Sequence, residues 1–381
     1  MKKLILVALT LLTLFVPCFG LTVKGLILDS QTNKPLENVA LFLDGTTIGT
    51  YSLTDGSFTL QCPDQGNMRM VVTLLGYETA SYSKDELIQN QNLKISLKVK
   101  AYQLAGVNVQ AKEPNRKENM QIFIENCLGI SPISNKCKIQ NPEVIRFKKE
   151  YYKTGGYSII ASANEPILIS NSALGYQIRY TLVDFKYSPS FISFSGYPFY
   201  VDLYDNGNVP DRIQKNRHKA YRGSTMHFFR SLYSKALEEE GFKVYKVLIR
   251  PTENGYTNVN NILCTLSFTR LEAHELKQTK KRLNLYDSVD IINTEATLKL
   301  NEPVEIRYTG ASEDLNYYSN SRFYGAMLRH SNQQTTIIRL LNDSLSFSSD
   351  GFVGNPSDMI TMGYWSYRKL GEFLPFDYKP N

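Results

Sequence analysis

Histidine, cysteine and tryptophan are scarce in this chain of 381 residues, which contains four, five and one of them. No CxxC pair and no Cys/His spacing typical of a zinc site is present, and the HExxH motif of zinc hydrolases is missing. We therefore expect no metal, no cofactor and no catalytic residue that a short motif would identify.

A strong net charge and a second long apolar run are also lacking. The formal charge is +7, and it becomes +5 without the two lysines of the first twenty residues. A charge this small and this scattered argues against a nucleic-acid partner. No apolar run after residue 20 reaches the roughly 20 residues of a membrane-spanning helix, so we expect no transmembrane helix.

The first twenty residues have the pattern of a secretory signal peptide. Lys2 and Lys3 precede the apolar run "LILVALTLLTLFV", and Cys18 and Gly20 occupy the small-residue positions of a cleavage site. We predict a signal peptide over residues 1–20 and an exported protein, either periplasmic or associated with the outer membrane. The alternative is lipid attachment at Cys18, for which Pro17 is an unfavourable neighbour.

Four cysteines follow the predicted signal: Cys62, Cys127, Cys137 and Cys264. An even number in an exported chain permits disulfides, and four cysteines allow three pairings. Cys127 and Cys137 are the closest in sequence, with Gly and Pro between them, so they form the candidate bridge. The alternative is four buried free thiols.

Residues 21–111 alternate between short apolar runs and turn signals. Runs such as "LTVKGLILD", "GSFTLQC" and "LKISLKVK" have the length of strands, and "TDGS" at 54–57 is a favourable tight turn. Short strands about ten residues apart are typical of a β-sandwich. The sequence thus predicts a mainly β protein that begins with a sandwich domain.

The same segment resembles the carboxypeptidase-like regulatory domain, a transthyretin-like and carbohydrate-binding-like fold. The resemblance lies in "VKGLILDSQTNKPLENVALFLDGTTIGTYSLTDGSFTL", in "LLGYET" and in "LAGVNVQA". It implies a sandwich of the seven-stranded type and no site, because each matching Gly and Asp also has a turn explanation. None of the four histidines has a Glu three residues later, so the zinc peptidase part is absent.

After a polar linker predicted at 112–119, residues 120–381 predict a larger β-rich α+β domain with one prominent amphipathic helix. Ser224 is the expected N-cap of this helix, apolar residues then recur every three or four positions, and Gly241 is the expected end. A shorter helix is predicted to end at Gly129.

A second resemblance covers most of this C-terminal region. Segments such as "CKIQNPEVIRF" and "NRHKAYRGSTMHFFRSLYSKALEEEGF" are similar to the C-terminal region of exported Bacteroidetes proteins that carry the regulatory domain in front. This resemblance implies the two-part architecture and an envelope location, but no activity. Cys137 lies inside a matching segment and Cys127 lies outside it.

A candidate binding patch lies around the start of the predicted amphipathic helix and consists of Arg217, Tyr221, Arg222, His227 and Arg230. Arginines near a helix N-terminus can bind an anion. The alternative is that these arginines pair with nearby acids, and that Ser224 caps the helix instead of acting as a nucleophile.

Three classes of function remain. The first is a non-enzymatic envelope protein with a binding or assembly role, whose partner is an outer-membrane protein or a glycan. The second is a glycosidase-like hydrolase that uses acids from the C-terminal region, namely Asp202, Asp205, Asp211, Glu313 and Asp314. The third is a small outer-membrane β-barrel, which the polar C-terminal residues do not favour. The first class fits the sequence best.

Overall fold

A computed structural model describes residues 20–63, 66, 69–90, 92–100, 115–153, 155–189, 191–205, 207–249, 276–292, 295–320 and 332–380. The predicted signal peptide with Cys18, the first part of the predicted linker and Cys264 lie outside these residues. Within them, no helix combines the length and the apolar character needed to cross a bilayer.

The first domain is a sandwich of seven strands with one short helix. The strands are β1 Leu21–Asp29, β2 Ala40–Leu43, β3 Gly49–Tyr51, β4 Ser57–Cys62, β5 Met70–Thr73, β6 Ala80–Tyr82 and β7 Asn92–Leu97, and helix α1 is Lys84–Gln89. One sheet has the order β4-β1-β7 and the other β3-β2-β5-β6. Alternate residues of β4 and β7 are buried, so each strand contributes one face to a shared core. The predicted mainly β fold and its N-terminal sandwich are confirmed.

The second part of the chain begins with a helix that packs on a six-stranded sheet. Helix α2 is Arg116–Phe123 and continues as a π-helical turn to Leu128, where Gly129 ends it at φ 101°. Residues 116–119, predicted as linker, are thus helical. The strands are β8 Cys137–Ile139, β9 Ile145–Tyr151, β10 Tyr157–Ala163, β11 Ile167–Asn171, β12 Tyr176–Ser188 and β13 Phe191–Asp202. The order is β8-β11-β12-β10-β9, with β13 also paired to β12.

A five-stranded and a three-stranded sheet form the rest of the second part, around a core of their own. The strands are β14 Phe242–Ile249, β15 Leu276–Arg282, β16 Val289–Ile292, β17 Glu295–Lys299, β18 Val304–Tyr308, β19 Gln334–Leu340, β20 Ser344–Ser348 and β21 Met359–Gly363. The helices are α3 Asp211–Tyr221, α4 Thr225–Tyr233, α5 Leu315–Asn320 and α6 Tyr364–Tyr367. Helices α3 and α4 connect the six-stranded sheet to this second core.

The predicted amphipathic helix is shorter than expected and has a neighbour that the sequence did not indicate. Helix α4 ends at Tyr233, because Lys235 takes a left-handed conformation at φ 59°. The chain then makes turns as far as Gly241. Helix α3 precedes it, separated only by Arg222, Gly223 and the cap Ser224.

The loop between β2 and β3 attaches the sandwich to the second part of the chain. The Gly45 amide donates to the Pro198 carbonyl (2.9 Å), and the Phe376 amide donates to the Gly45 carbonyl (2.7 Å). Gly45 has φ +70°, and a Cβ atom there would lie 2.6 Å from the Phe376 ring. Only glycine fits this position without strain, so the loop is closely matched to strand β13 and to the C-terminal tail.

The predicted bridge between Cys127 and Cys137 is not formed, because both residues are free thiols in the structure. Burial raises the pKa of each thiol to about 12. Cys62 is likewise a free buried thiol. Cys62 and Cys127 therefore match the alternative of buried free thiols, and Cys137 is a half-buried free thiol.

Candidate functional site

The predicted binding patch does not form one surface, since its arginines point to different partners. Arg217 is almost completely buried and forms a two-bonded ion pair with Asp202, at 2.7 and 2.9 Å. Its Nε donates to the Leu174 carbonyl, and its guanidinium lies over the Tyr176 ring at 4.0 Å. Arg217 therefore stabilises the fold and is unavailable to a ligand.

Arg230 holds the C-terminal tail. Its three guanidinium nitrogens donate to the carbonyls of Asp350, Phe376 and Tyr378 at 2.8 to 2.9 Å. Because the tail also binds the β2–β3 loop through Phe376, Arg230 supports the contact between the two parts of the chain. The alternative stated from the sequence was pairing of the arginines with nearby acids, whereas Arg230 binds backbone carbonyls.

His227 and Tyr221 are interior residues. The Gly223 amide donates to His227 Nδ1 (3.1 Å), so the proton of the neutral ring is on Nε2, which donates to Glu240 (2.9 Å). Burial lowers the pKa of His227 below its usual value of 6.5, and the ring packs against Tyr221 at 4.6 Å. Both side chains serve packing and hydrogen bonding inside the domain.

Ser224 caps helix α4 as predicted, because its Oγ accepts from the His227 amide at 3.0 Å. We expect Ser224→Ala to lower the free energy of unfolding by about 1 kcal/mol, as for other helix caps. Urea unfolding followed by the fluorescence of Trp365, the single tryptophan, measures this directly, because its Nε1 donates to the adjacent Gly223 carbonyl. Ser357→Ala, at an exposed position outside this helix, is the control. An unchanged transition midpoint in Ser224→Ala would contradict the capping role.

Arg222 is the member of the patch that lines a cleft of about 390 Å³. Three further basic or titratable residues of helix α3 line the same cleft: Lys215, His218 and Lys219. Lys215 lies three and four residues before His218 and Lys219, which places these three on one face of the helix, and Arg222 follows directly after the helix end. Among the described residues, the side chains of Lys215, His218 and Lys219 make no hydrogen bond or ion pair with the protein.

Two carboxylates of the 311–314 loop also line the cleft. Glu313 is buried and its Oε1 accepts from the Thr335 amide (3.1 Å), while Asp314 Oδ1 accepts from the Asn316 amide (2.8 Å). These backbone amides hold the two carboxylates at fixed positions. The cleft thus has a basic wall on helix α3 and an acidic wall on the 311–314 loop.

The buried pair of Arg368 and Glu372 also lines the cleft. Arg368 donates to the carbonyls of Ala220 and Arg222 at 3.0 and 3.1 Å, and its Nε lies 3.4 Å from Glu372. A cation at these carbonyls caps the C-terminal end of helix α3. Tyr364 lies beside it, and burial raises the pKa of Tyr364 to about 12, so its hydroxyl stays protonated.

Of the five acids proposed for a hydrolase, the structure brings Glu313 and Asp314 to the cleft. Asp202 is paired with Arg217, whereas Asp205 lies in an exposed turn and Asp211 begins helix α3. None of these three lines the cleft. Over the described part of the chain, no three His, Cys, Asp or Glu residues are grouped so that they could bind a metal ion.

Sequence reasoning missed the basic wall. Lys215, His218 and Lys219 were not among the predicted site residues, because the helix that carries them was not predicted. Their spacing can be read in "KNRHKAYR", but it places the side chains on one face only if the segment is a helix.

The sequence pattern of one family, the CarboxypepD_reg-like domain, matches residues 23–109. This segment is therefore similar to that domain. The match begins within β1 and extends past β7, and it confirms the resemblance seen in the sequence. No curated protein matches the chain.

Comparison with solved structures gives only weak likenesses. A protein proposed to bind carbohydrate, from Bacteroides uniformis, is 11% identical, over 50% of this chain and 82% of its own, with a TM-score of 0.15. A proposed membrane-associated protein of unknown function from Bacteroides fragilis is 9% identical, over 90% and 96%, with a TM-score of 0.16. A 9R-lipoxygenase from Cyanothece is 11% identical, over 58% and 49%, with a TM-score of 0.18. Scores this low carry no argument about fold or function.

Proposed function

We propose that this chain is an exported, non-enzymatic binding protein of the cell envelope, and that it binds an acidic glycan in the cleft beside helix α3. The observation that carries the proposal is the face of Lys215, His218, Lys219 and Arg222 on one wall of the cleft. The export pattern of residues 1–20 and the CarboxypepD_reg-like domain support the envelope location.

The two walls of the cleft suit different groups of such a ligand. Lysine and arginine side chains bind carboxylate, sulfate or phosphate substituents through charge-assisted hydrogen bonds. Glu313 and Asp314 on the other wall can accept hydrogen bonds from sugar hydroxyls. The volume of about 390 Å³ lies within the range of small-ligand sites, which is about 300 to 1,000 Å³. A short segment of a charged glycan therefore matches the cleft in both size and chemistry.

The test compares a galacturonate oligomer with its methyl ester of equal length, since the two share one backbone and linkage and differ only in the charge of the carboxylates. Calorimetric titration should show tighter binding of the galacturonate. In the Lys215→Ala/Lys219→Ala variant, we expect this binding to weaken by about tenfold or more, the effect of losing charge-assisted contacts.

The matched control is Lys138→Ala/Lys243→Ala, which removes the same charge from exposed positions outside the cleft. This variant should bind the galacturonate like the parent chain. Equal affinity for the two oligomers, or full binding by Lys215→Ala/Lys219→Ala, would contradict the proposal.

Glu313 and Asp314 also keep hydrolysis as a second candidate function, because both acids line the cleft. Incubation of the oligomers with the protein, followed by analysis of chain length, tests this candidate. Cleavage that disappears in Glu313→Gln would replace the binding proposal by a glycosidase. Intact oligomers after prolonged incubation favour binding alone.

A further inference from the structure

The six-stranded sheet has two neighbouring hairpin turns at one of its ends, which we call the sheet tip. It consists of residues 148–153 and 155–159 around the β9–β10 turn, and of residues 183–189 and 191–194 around the β12–β13 turn. The pairs Ile159–Lys149 and Ile159–Tyr187 place the two hairpins side by side, so both turns lie at the same end of the sheet.

Large apolar and aromatic side chains are exposed at the sheet tip. Tyr151 is 75% exposed and Phe191 is 55% exposed, and Tyr152 and Val183 are also exposed. Phe191 follows the β12–β13 turn directly, and Tyr151 pairs with Tyr157 across the β9–β10 turn. Exposed apolar groups concentrated at one end of a molecule indicate a contact surface.

The charge of the sheet tip is positive. It contains four lysines, Lys148, Lys149, Lys153 and Lys186, against two carboxylates, Glu150 and Asp184. Lys149 lies over the Tyr157 ring at 3.9 Å and over the Tyr151 ring at 5.6 Å. The tip therefore combines aromatic rings with lysines on flexible, partly apolar stems.

We propose that the sheet tip docks the protein on an anionic lipid surface. Tyr and Phe rings favour the interface between headgroups and acyl chains, and lysines at the same depth attract acidic headgroups. Both turns approach the surface together, because the sheet holds them side by side. The excess of lysine over carboxylate supplies the charge complementarity. This inference goes beyond the glycan site, since the tip and the cleft share no residue.

The test is co-sedimentation of the full mature chain with vesicles of phosphatidylethanolamine and phosphatidylglycerol, or of phosphatidylcholine alone. We expect binding to the anionic vesicles, and weaker binding as salt is raised. Lys153→Gln/Lys186→Gln should reduce this binding by about tenfold, since each lysine near an anionic surface contributes severalfold. Tyr151→Ser/Phe191→Ser should also reduce it.

Two variants serve as controls. Leu53→Ser/Leu341→Ser removes exposed apolar side chains far from the tip in sequence, and Lys138→Ala/Lys243→Ala removes two exposed lysines outside both the tip and the cleft. Both should bind the vesicles like the parent chain. The proposal is overturned if the parent chain does not bind anionic vesicles, or if the lysine and aromatic variants bind like the parent. It is also overturned if the tip variants abolish only self-association in sedimentation velocity, because the tip would then contact a second copy.

Discussion

Replacing Arg217 by methionine is expected to lower the free energy of unfolding by about 3 to 5 kcal/mol, the usual cost of removing one partner from a buried ion pair. Asp202 would keep its charge beside the Tyr176 ring and lose both hydrogen bonds from the guanidinium. The Leu174 carbonyl would lose its donor as well. Methionine fills part of the arginine volume, so the loss reports on the charge and the hydrogen bonds more than on a cavity.

Arg212→Met is the matched control, because Arg212 is exposed on the same helix. It should change the unfolding free energy by less than about 0.5 kcal/mol, as surface substitutions do. Adding Asp202→Asn to Arg217→Met should recover part of the loss, since no unpaired charge is then left near the interior. Urea unfolding of the four proteins measures these differences. A parent-like stability of Arg217→Met would show that water compensates the pair fully.

The sandwich could be predicted from the sequence because local signals determine it. Alternating apolar residues predict half-buried strands such as β4 and β7, and Asp55-Gly56 supplies the tight turn that precedes β4. The cap of helix α4 was predictable for the same reason, since Ser224 acts on an amide only three residues away. Interactions between residues that are close in sequence can therefore be predicted from the sequence pattern.

Helix α3 was missed because an arginine occupies its apolar stripe. The residues that face the interior are Ile213, Arg217, Ala220 and Tyr221, which have helical spacing. Arg217 interrupts the apolar pattern, and it is tolerated there only because Asp202 and the Leu174 carbonyl meet it. Those partners are 15 and 43 residues away, so the sequence alone gives no sign of them. The basic wall of the cleft was missed as a direct consequence.

The positions of the candidate acids also depend on contacts between residues that are distant in sequence. Glu313 and Asp314 reach the cleft because β18 and β19 pair and bring Thr335 to the 311–314 loop. Asp202 has an equally polar sequence environment, yet the buried Arg217 binds it. The composition of the turns could not tell an acid that lines the cleft from an acid that pairs with a buried arginine. It describes the loop itself and not the residues that contact it.

Substituting Asp44 by asparagine is expected to remove a large pH dependence of stability. Asp44 is buried at the β2–β3 loop, and burial raises the pKa of its carboxyl from 3.8 to about 7, although Arg69 at 3.8 Å lowers the pKa in part. Burial raises the pKa of the nearby Tyr180 and Tyr200 hydroxyls, and the Asp44 charge raises it further.

The direction of the effect follows from proton binding. Between pH values of about 4 and 7 the folded chain holds the Asp44 proton and the unfolded chain has lost it, so stability falls as the pH rises. The total loss of stability is about 2 to 4 kcal/mol. One pKa unit corresponds to about 1.4 kcal/mol, and the pKa of Asp44 rises from 3.8 to about 7 on folding. Above the pKa of Asp44 in the folded chain, both states are ionised, so the buried charge lowers the free energy of unfolding by a constant amount.

Asp44→Asn keeps a polar side chain of similar size that cannot become charged, so its stability should vary less between about pH 5 and pH 8. At the higher pH the variant should be more stable than the parent chain, because no charge is buried. Arg69 keeps other contacts, with the Gly354 carbonyl and the Phe352 ring, so removing the charge does not leave it unpaired. Urea unfolding over this pH range measures both proteins.

Asp55→Asn is the control, because folding lowers the pKa of Asp55 and raises that of Asp44. Asp55 is exposed, and hydrogen bonds from Ser57 lower the pKa of its carboxyl, so its contribution is present at neutral pH and is lost as the pH falls. This substitution should leave the decline from pH 5 to pH 8 unchanged. If the parent chain and Asp44→Asn have parallel pH profiles, Asp44 is already ionised in the folded chain, and Arg69 then compensates its burial. If the profiles diverge, Asp44 holds its proton in the folded chain until the pH approaches its raised pKa of about 7.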